Sequence, residues 1–596
     1  MNHLDGFHIM IVSKYFSSFQ DFISLELVCK KYASTMSKFH YNPIPLTRSK
    51  LIFFENLETL ILWPKDNFLA FKHLTSYFYR EFYRIIVYEE VDYKTAINML
   101  DMYSENKFQS IKDTRVRMHS IIFKNVVYTQ KDKIAFNSHL SDLVTKIDEK
   151  CFFNEQEMKS INIPTTITCI DNESFFQCTS LTSFIFPLSL RRICDKSFAE
   201  CRSLVEVVFP SRLTSIGSLC FYGCYSLTSV KFPRHLKHIN NYAFKFCWNI
   251  KTLSFPNLLS KINYGTFQDC KNLSWIKLPS RLFEISYLAF SGCQKLLDLD
   301  IPKSVESLKS MCFSNCKSLS KIVLEYGLKS IGENCFNGCI SLNTIEIPDS
   351  VTEIGWQAFA ECTQLQKVVM SKSLTTLNRE TFKNCFSMTE FVFAYGTKSI
   401  KSIQPSCFID CESLKCIDIP EGVIDISNDS FLRCTSLSEI TFPYTVESFG
   451  VQSFYCCLTL ESIELPKNIK KLQVSCFENC RNLSVVHFPQ NLTMIGTQCF
   501  ASCVNLEKVE GIDGVVIVGP FAFQKCEKLS SIIFGNSLKS IGERCFEECI
   551  NLQHVEMPDE VTHIGYNCFL NCTKLKKLKI PSGVQNINCL FGKKEK

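Results

Sequence analysis

From residue 152 onward the apolar positions return at a fixed interval. Phenylalanine followed three residues later by cysteine occurs eighteen times, from Phe175/Cys178 to Phe569/Cys572, and sixteen of the seventeen steps are 23 residues. The other step, Phe382 to Phe408, is 26 residues, with three added near Ala394-Tyr395-Gly396. Phe152 carries the register one repeat further back, with Glu155 in the cysteine slot. Counting phenylalanine as position 1, a clean copy reads Phe336, Cys339, Leu342, Ile345, Ile347, Pro348, Val351 and Ile354 before Phe359. Position 7 is Leu in sixteen of the eighteen, with Ile250 and Met388 as substitutes. The apolar residues two apart after it predict a short strand. Pro at position 13, in thirteen repeats, has no backbone donor and closes that strand. Position 20 is often Gly (Gly217, Gly332, Gly355, Gly496, Gly542, Gly565) or Asn (Asn240, Asn263, Asn378), which predicts a tight turn with positive φ there.

One such repeat buries too few side chains to fold alone, so neighbours must stack and share their anchors. The pattern predicts an α/β solenoid of about nineteen repeats with short parallel strands. Stretches such as LNTIEIPDSVTEIGWQAFAECTQL resemble the BspA-like leucine-rich repeats of bacteria and protozoa, over about residues 150–591. The resemblance implies a curved parallel β-solenoid used for binding, with several members described as cell-surface adhesins. The expected domains are a helical segment at 1–50, an irregular region of degenerate repeats at 51–150, the solenoid at 151–591 and a polar tail at 592–596.

The first 150 residues follow other rules. Phe7, Ile11, Val12 and Tyr15 fit one helical face, and Ser18-Phe-Gln-Asp21 reads as a capping box opening a second helix with Phe22, Leu25, Val28 and Tyr32 along it. Asn42-Pro43-Ile44-Pro45 reads as a linker. The helical pair with DFISLELVCKKY resembles an F-box, which implies an adaptor that delivers a repeat-bound substrate for ubiquitylation; without the usual Leu-Pro opening (here Leu4-Asp5), it is read first as a cap on the solenoid. Leu57, Leu60 and Leu62, followed by Trp63-Pro64, echo a repeat strand, and eight aromatics crowd Phe71 to Tyr93 as expected core.

Composition narrows the function. Hydrophobic residues are 46% and charged residues 21%, so the chain is globular, and a net charge of +6 spread over 596 residues does not mark a nucleic-acid binder. No apolar run approaches the ~18 residues that would predict a transmembrane segment. The opening MNHLDGFHIMIVSKYF has no basic lead and no small-residue cleavage site, so a cytoplasmic location is expected, with a surface adhesin exported without a signal peptide as the alternative. The 33 cysteines are an odd number, so at least one stays free or pairs with another chain. Eight further cysteines sit just before the repeat phenylalanine, where Ala, Ser or Thr stand elsewhere (Ala243, Ser197, Thr381), a choice made by size. No C-x-x-C and no zinc-finger spacing occurs, so no metal or cofactor is expected. Equivalent residues on stacked strands lie ~5 Å apart with parallel Cβ vectors, where a disulfide prefers ~3.8 Å, so the ladder should be buried reduced thiols.

No phosphate loop, nucleophile elbow or H-E-x-x-H appears, and no enzyme is predicted. Function then rests on the positions the repeat leaves free. Position 11 projects from the strand between buried anchors and carries Lys231, Lys277, Asp300, Glu346, Asp418, Glu464, His487, Glu510 and Glu556, with Trp275 on the strand of Lys277. Between Asp300 and Glu556 this slot holds six acids and no Lys or Arg. The expected partner is a protein, basic in character, bound on the strand face. Lys574, Lys576, Lys577 and Lys579 read as a charged carboxyl-terminal cap.

Overall fold

The structure, a computed structural model, describes residues 6–28, 30–63, 82–104, 120–584 and 590–591. Leu4-Asp5, Pro64, the aromatics from Phe71 to Tyr79 and the lysine-rich tail lie outside the described residues. The chain divides into two compact bodies, one of residues 1–204 with 208–220 and one of 205–207 with 221–596.

In the first body, the helices Gly6–Ser13 and Phe19–Val28 form where the apolar spacing predicts them. The capping box is present: Asp21 N–H donates to Ser18 Oγ at 3.3 Å and Ser18 N–H to Asp21 Oδ2 at 2.8 Å. The buried face differs from the expected one. Ile9 and Ser13 point inward, while Ile11, Val12 and Tyr15 are exposed, because the first helix is only two turns long and presents an i, i+4 pair to the core. The supposed linker is also core. Asn42 is buried and bridges to a strand, its Nδ2 donating to Ile61 O at 2.7 Å and its Oδ1 accepting from Ile61 N at 2.6 Å. Ile44 and Leu46 join Phe22, Met36, Phe39, Phe54, Leu57 and Phe82 in one cluster, with ring contacts such as Phe22–Phe54 at 5.6 Å edge-on.

Against this cluster lies a parallel sheet. Strand Thr59–Leu62 pairs with Arg84–Asp92, which pairs with Ser120–Tyr128, whose end registers Tyr128 with Ile147. Two-residue strands then continue the ladder, Ile147 beside Ile170, Ile193 and Ile216. Leu57, Leu60 and Leu62 thus do begin a repeat-like strand. A short helix, Gln130–Phe136, covers the first repeat, held by a Thr129/Asp132 capping box. It explains Glu155: that cysteine slot meets the helix, and Glu155 pairs with Lys133.

The second body is all repeats. The typical repeat has an exposed-buried-exposed strand (Thr344–Glu346 for example), a turn in which the residue three after proline donates back (Val351 N to Pro348 O, 2.9 Å), and a two-residue strand such as Glu353–Ile354. From Ile239 to Ile564 the short strands hold the 23-residue spacing, except where the insertion falls. There Tyr395 is fully exposed, Gly396 has φ +86°, and only an isolated Leu377–Ile403 bridge joins the flanking short strands.

Phenylalanine rings form a column through each body. Phe152, Phe175 and Phe198 stack at 5.0 and 5.1 Å, with Tyr128 above Phe152. From Phe221 to Phe569 successive rings lie 5.1 to 5.7 Å apart and almost parallel. Around each phenylalanine the backbone takes a left-handed residue two before and two after, as at Asn334 (φ 51°) and Gly338 (φ 73°) about Phe336. The N–H groups of these two and of the phenylalanine between them all donate to the next repeat, Asn334 to Trp356 O, Phe336 to Ala358 O and Gly338 to Ala360 O at 2.8–3.0 Å. Most of these left-handed residues are not glycine, Leu288, Met311 and Phe521 among them. The three hydrogen bonds offset the ~1–2 kcal/mol that the conformation costs an L-residue.

The glycines of position 20 are not in that conformation, contrary to the expectation from sequence. Gly355 and Gly542 have ordinary φ; they are small because the preceding repeat's backbone is against them. A Cβ on Gly355 would stand 2.4 Å from Glu333 N, and one on Gly542 2.2 Å from Pro520 N. Asn263 and Asn378 solve the position differently, their side-chain amides donating to Ile239 O and Ile354 O at 2.7 and 2.6 Å.

The position-4 cysteines are reduced thiols, all buried but for half-buried Cys572, as expected, yet they do more than fill space. Within each body these thiols donate to the phenylalanine carbonyl of the preceding repeat, Cys178 to Phe152 at 3.1 Å in the first, and Cys339 to Phe313 at 3.3 Å and Cys572 to Phe546 at 3.0 Å in the second. That carbonyl also accepts its own repeat's cysteine N–H, as Phe313 O does from Cys316 at 3.3 Å, so both of its lone pairs are used inside the core. Burial pushes the Cys339 thiol up to about 12, so it remains protonated and able to donate.

Two outcomes follow from this packing. Gly542→Ala forces the two backbones apart and should destabilise its repeats by about 1–3 kcal/mol, read as faster amide exchange across residues 519–565. Cys339→Ala should lose about 1–2 kcal/mol through the missing donor and small void, and Cys339→Ser, which restores a donor, should lose less; equal losses in a denaturation series would show that size alone selects the cysteine.

Candidate functional site

The strand face is built by the alternation that buries positions 10 and 12 and turns 9 and 11 outward. In strand Trp275–Lys277 the central Ile276 is buried, while Trp275, half exposed at 50%, and Lys277 face solvent. Lys231, Asp300, Glu346, Asp418, Glu464, His487 and Glu556 occupy the same outward slot and are exposed; Glu510 is half-buried. All the position-11 residues singled out from sequence therefore lie on one kind of surface.

They are not equally gathered. Glu464, His487 and Glu510 stand on three successive strands of one sheet, in direct register. Asp300 registers with Val323, Glu346 with Val369 and Glu556 with Ile533, so those acids alternate with apolar neighbours. Asp418 accepts from Thr441 Oγ1 at 2.7 Å on the adjacent strand. Lys231 and Lys277 lie in the earlier repeats, apart from the acids of the carboxyl half.

Part of the acidic charge is answered within the chain. His487 Nδ1 lies 2.8 Å from Glu510 Oε2, and Lys508, two residues before Glu510 on the same strand, pairs with its other oxygen. Hydrogen bonding from Lys508, and after it the charge of that lysine and of His487, holds the Glu510 carboxyl below the usual range. His554 Nε2 lies 3.6 Å from Glu556 Oε2. Glu464 and Glu346 are in no ion pair that the structure records, and they are the acids most available to an incoming cation. Position 9 adds Lys367 and Glu390, paired across adjacent strands at 2.7 Å, and so contributes no net charge.

Two groupings escaped the reading of the sequence. Tyr225 and Trp248 stack at 4.3 Å with Lys271 above the indole at 4.6 Å, one column made by position 5 of three successive repeats. Cys169 and Cys194 lie beside each other at positions 18 and 20, outside both cysteine slots of the repeat. Their being out of the ladder was the available signal, hidden by treating the cysteines as one class. Among the described residues no three His, Cys, Asp or Glu side chains are grouped to hold a metal ion, and no helix is long and apolar enough to cross a membrane.

Known proteins bear on the repeats alone. Among curated proteins no sequence matches. A leucine-rich repeat protein from Bacteroides ovatus is 24% identical over 61% of this chain and 82% of its own, with a TM-score of 0.42. A leucine rich cell surface protein from Faecalibacterium prausnitzii is 20% identical over 76% of this chain and 87% of its own, with a TM-score of 0.22. The sequence profile of the BspA type leucine rich repeat region matches in six copies, at residues 145–274, 237–328, 283–415, 401–515 and 495–591. With three quarters of its length matched and the strand, turn and phenylalanine ladder in place, the chain belongs to the BspA type leucine rich repeat family.

Proposed function

We propose that this chain is a non-enzymatic scaffold that binds a basic protein along the strand face of its carboxyl half. The observation that carries the reading is the register of Glu464, His487 and Glu510 on consecutive strands, continued by Glu556 and flanked by exposed Ile533. From repeat to repeat, Glu464, His487, Glu510, Ile533 and Glu556 alternate a carboxylate with an imidazole or an apolar side chain, which matches an extended segment carrying cationic residues at intervals. The outward slot is exposed to solvent along its strands, which suits binding along a surface rather than enclosing a reacting group. The ladder supports a cytoplasmic, reducing location, because thiols that donate hydrogen bonds must carry their protons.

A second reading, the F-box-like adaptor, draws on the helix Phe19–Val28. Leu27 and Val28 at its end are 79% and 71% exposed, and Ile52 and Phe53 are exposed as well. Large apolar side chains left in water on a helix end suit a helical partner subunit.

Reversing Glu464, Glu510 and Glu556 together to lysine should weaken capture of the partner from cytosolic extract at least tenfold and flatten its salt dependence, about 1.4 kcal/mol or more of binding free energy. Unchanged capture at both low and high salt removes the strand face from consideration. The double change Leu27→Asp, Val28→Asp should abolish recovery of ubiquitin-ligase subunits if the helices dock one; recovery of the same partners without ligase subunits from both proteins assigns the helices a structural role.

A further inference from the structure

Most of the described cysteines are buried in the core, and Cys169 and Cys194 stand apart from them. Those in the ladder are buried, and among them Cys312 and Cys335 place their sulfurs 3.4 Å apart with no route for a reagent. Cys169 and Cys194 instead lie half-buried on the outer face of the first body's sheet. Strand Cys169–Ile170 pairs with Arg192–Ile193, so Ile170 and Ile193 point inward while Cys169, Arg192 and Cys194 point outward. Cys194 is therefore the diagonal neighbour of Cys169, and not its equivalent one repeat on. The two sulfurs are 3.9 Å apart, and Arg192 Nη2 lies 3.8 Å from the Cys169 sulfur.

The surroundings make the two thiols unequal. The hydrogen bond from Cys194, and after it the Arg192 guanidinium, hold the Cys169 thiol below the ordinary cysteine range despite its partial burial. Cys194, with Cys169 and burial both opposing its ionisation, is held above it. Asp171 borders Cys194, and its carboxylate is engaged by Lys146 Nζ at 2.8 Å; Lys146 also reaches Glu90 at 3.5 Å. Cys169 thus has a guanidinium beside its sulfur, which favours ionisation, and Cys194 is a second thiol within reach of it.

We propose that Cys169 and Cys194 form a dithiol that reacts with hydroperoxides and closes to a disulfide between successive repeats, Cys169 attacking and Cys194 resolving. The Cys169 sulfur attacks the terminal oxygen of the hydroperoxide. An S–O bond forms, the O–O bond breaks, and the leaving alkoxide takes a proton to become an alcohol. Cys169 is now a sulfenic acid. The Cys194 sulfur, giving up its proton, displaces hydroxide from it; the S–S bond forms and water leaves. In sum, two thiols are oxidised to a disulfide while one hydroperoxide is reduced to an alcohol and water.

The test uses the reduced full-length chain and hydrogen peroxide at one equivalent, followed by alkylation and tryptic mapping. Cleavage after Arg191, Arg192 and Lys196 separates the two cysteines, so the disulfide appears as residues 193–196 joined to the peptide containing Cys169. That species should form and disappear again with a thiol reductant, while Cys312 and Cys335 are recovered reduced. In Cys194→Ser, Cys169 should accumulate as a sulfenic acid trapped by a cyclic 1,3-diketone. Arg192→Gln should slow alkylation of Cys169 at neutral pH by about tenfold, with circular dichroism unchanged. The proposal is overturned if Cys169 alkylates no faster than the exposed lone Cys416, if both thiols survive peroxide, or if Cys312 and Cys335 oxidise equally.

Discussion

Each repeat depends on one backbone arrangement, the pair of left-handed residues that brackets its phenylalanine. They turn three N–H groups, at Asn334, Phe336 and Gly338 for instance, toward the following repeat, and so convert what would be a loop into a hydrogen-bonded ladder. Once that ladder is set, the phenylalanine ring must point inward and stack on its neighbours, and its carbonyl is sealed inside the core. A sealed carbonyl needs donors, and the cysteine at position 4 supplies one from its backbone and another from the next repeat's thiol. Phenylalanine and cysteine are thus two consequences of the same turn.

This dependence explains what the sequence disclosed and what it withheld. The period, the strand and the proline turn were legible because they act through side-chain type at fixed spacing. The left-handed positions were not, because ladder hydrogen bonds override propensity and allow Leu288 or Phe521 where glycine would be expected. Glycine at position 20 misled for the converse reason: Gly355 is small to admit a neighbouring backbone, a requirement that resembles a turn signal when read along one chain. Before residue 150 no period exists to follow, and Asn42, followed by Pro43 and Pro45, looks like a linker until Ile61 is seen beside it.

The strand face was half legible. Alternation placed Glu346, Glu464 and Glu510 outward, as the structure has them. Lys508, from position 9, could be read as weakening the acidic sign, but its pairing with Glu510, and that of His487 across to the next repeat, could not be read down a single slot. Surface charge in a stacked array is a property of two dimensions, along the strand and across it. The cysteine pair at 169 and 194 teaches the same lesson: the diagonal across two strands brought them together.

The added residues at Ala394-Tyr395-Gly396 leave one ladder whole and thin the other. Phe382 N still donates to Cys407 O at 2.9 Å, but the short strands on either side keep only the Leu377–Ile403 bridge, and the ring spacing from Phe382 to Phe408 is 5.7 Å. In a one-dimensional array, cooperativity is transmitted only through nearest-neighbour coupling, and a weakened link acts as a domain wall. The junction between residues 382 and 408 is accordingly the place at which the second body should part first on unfolding.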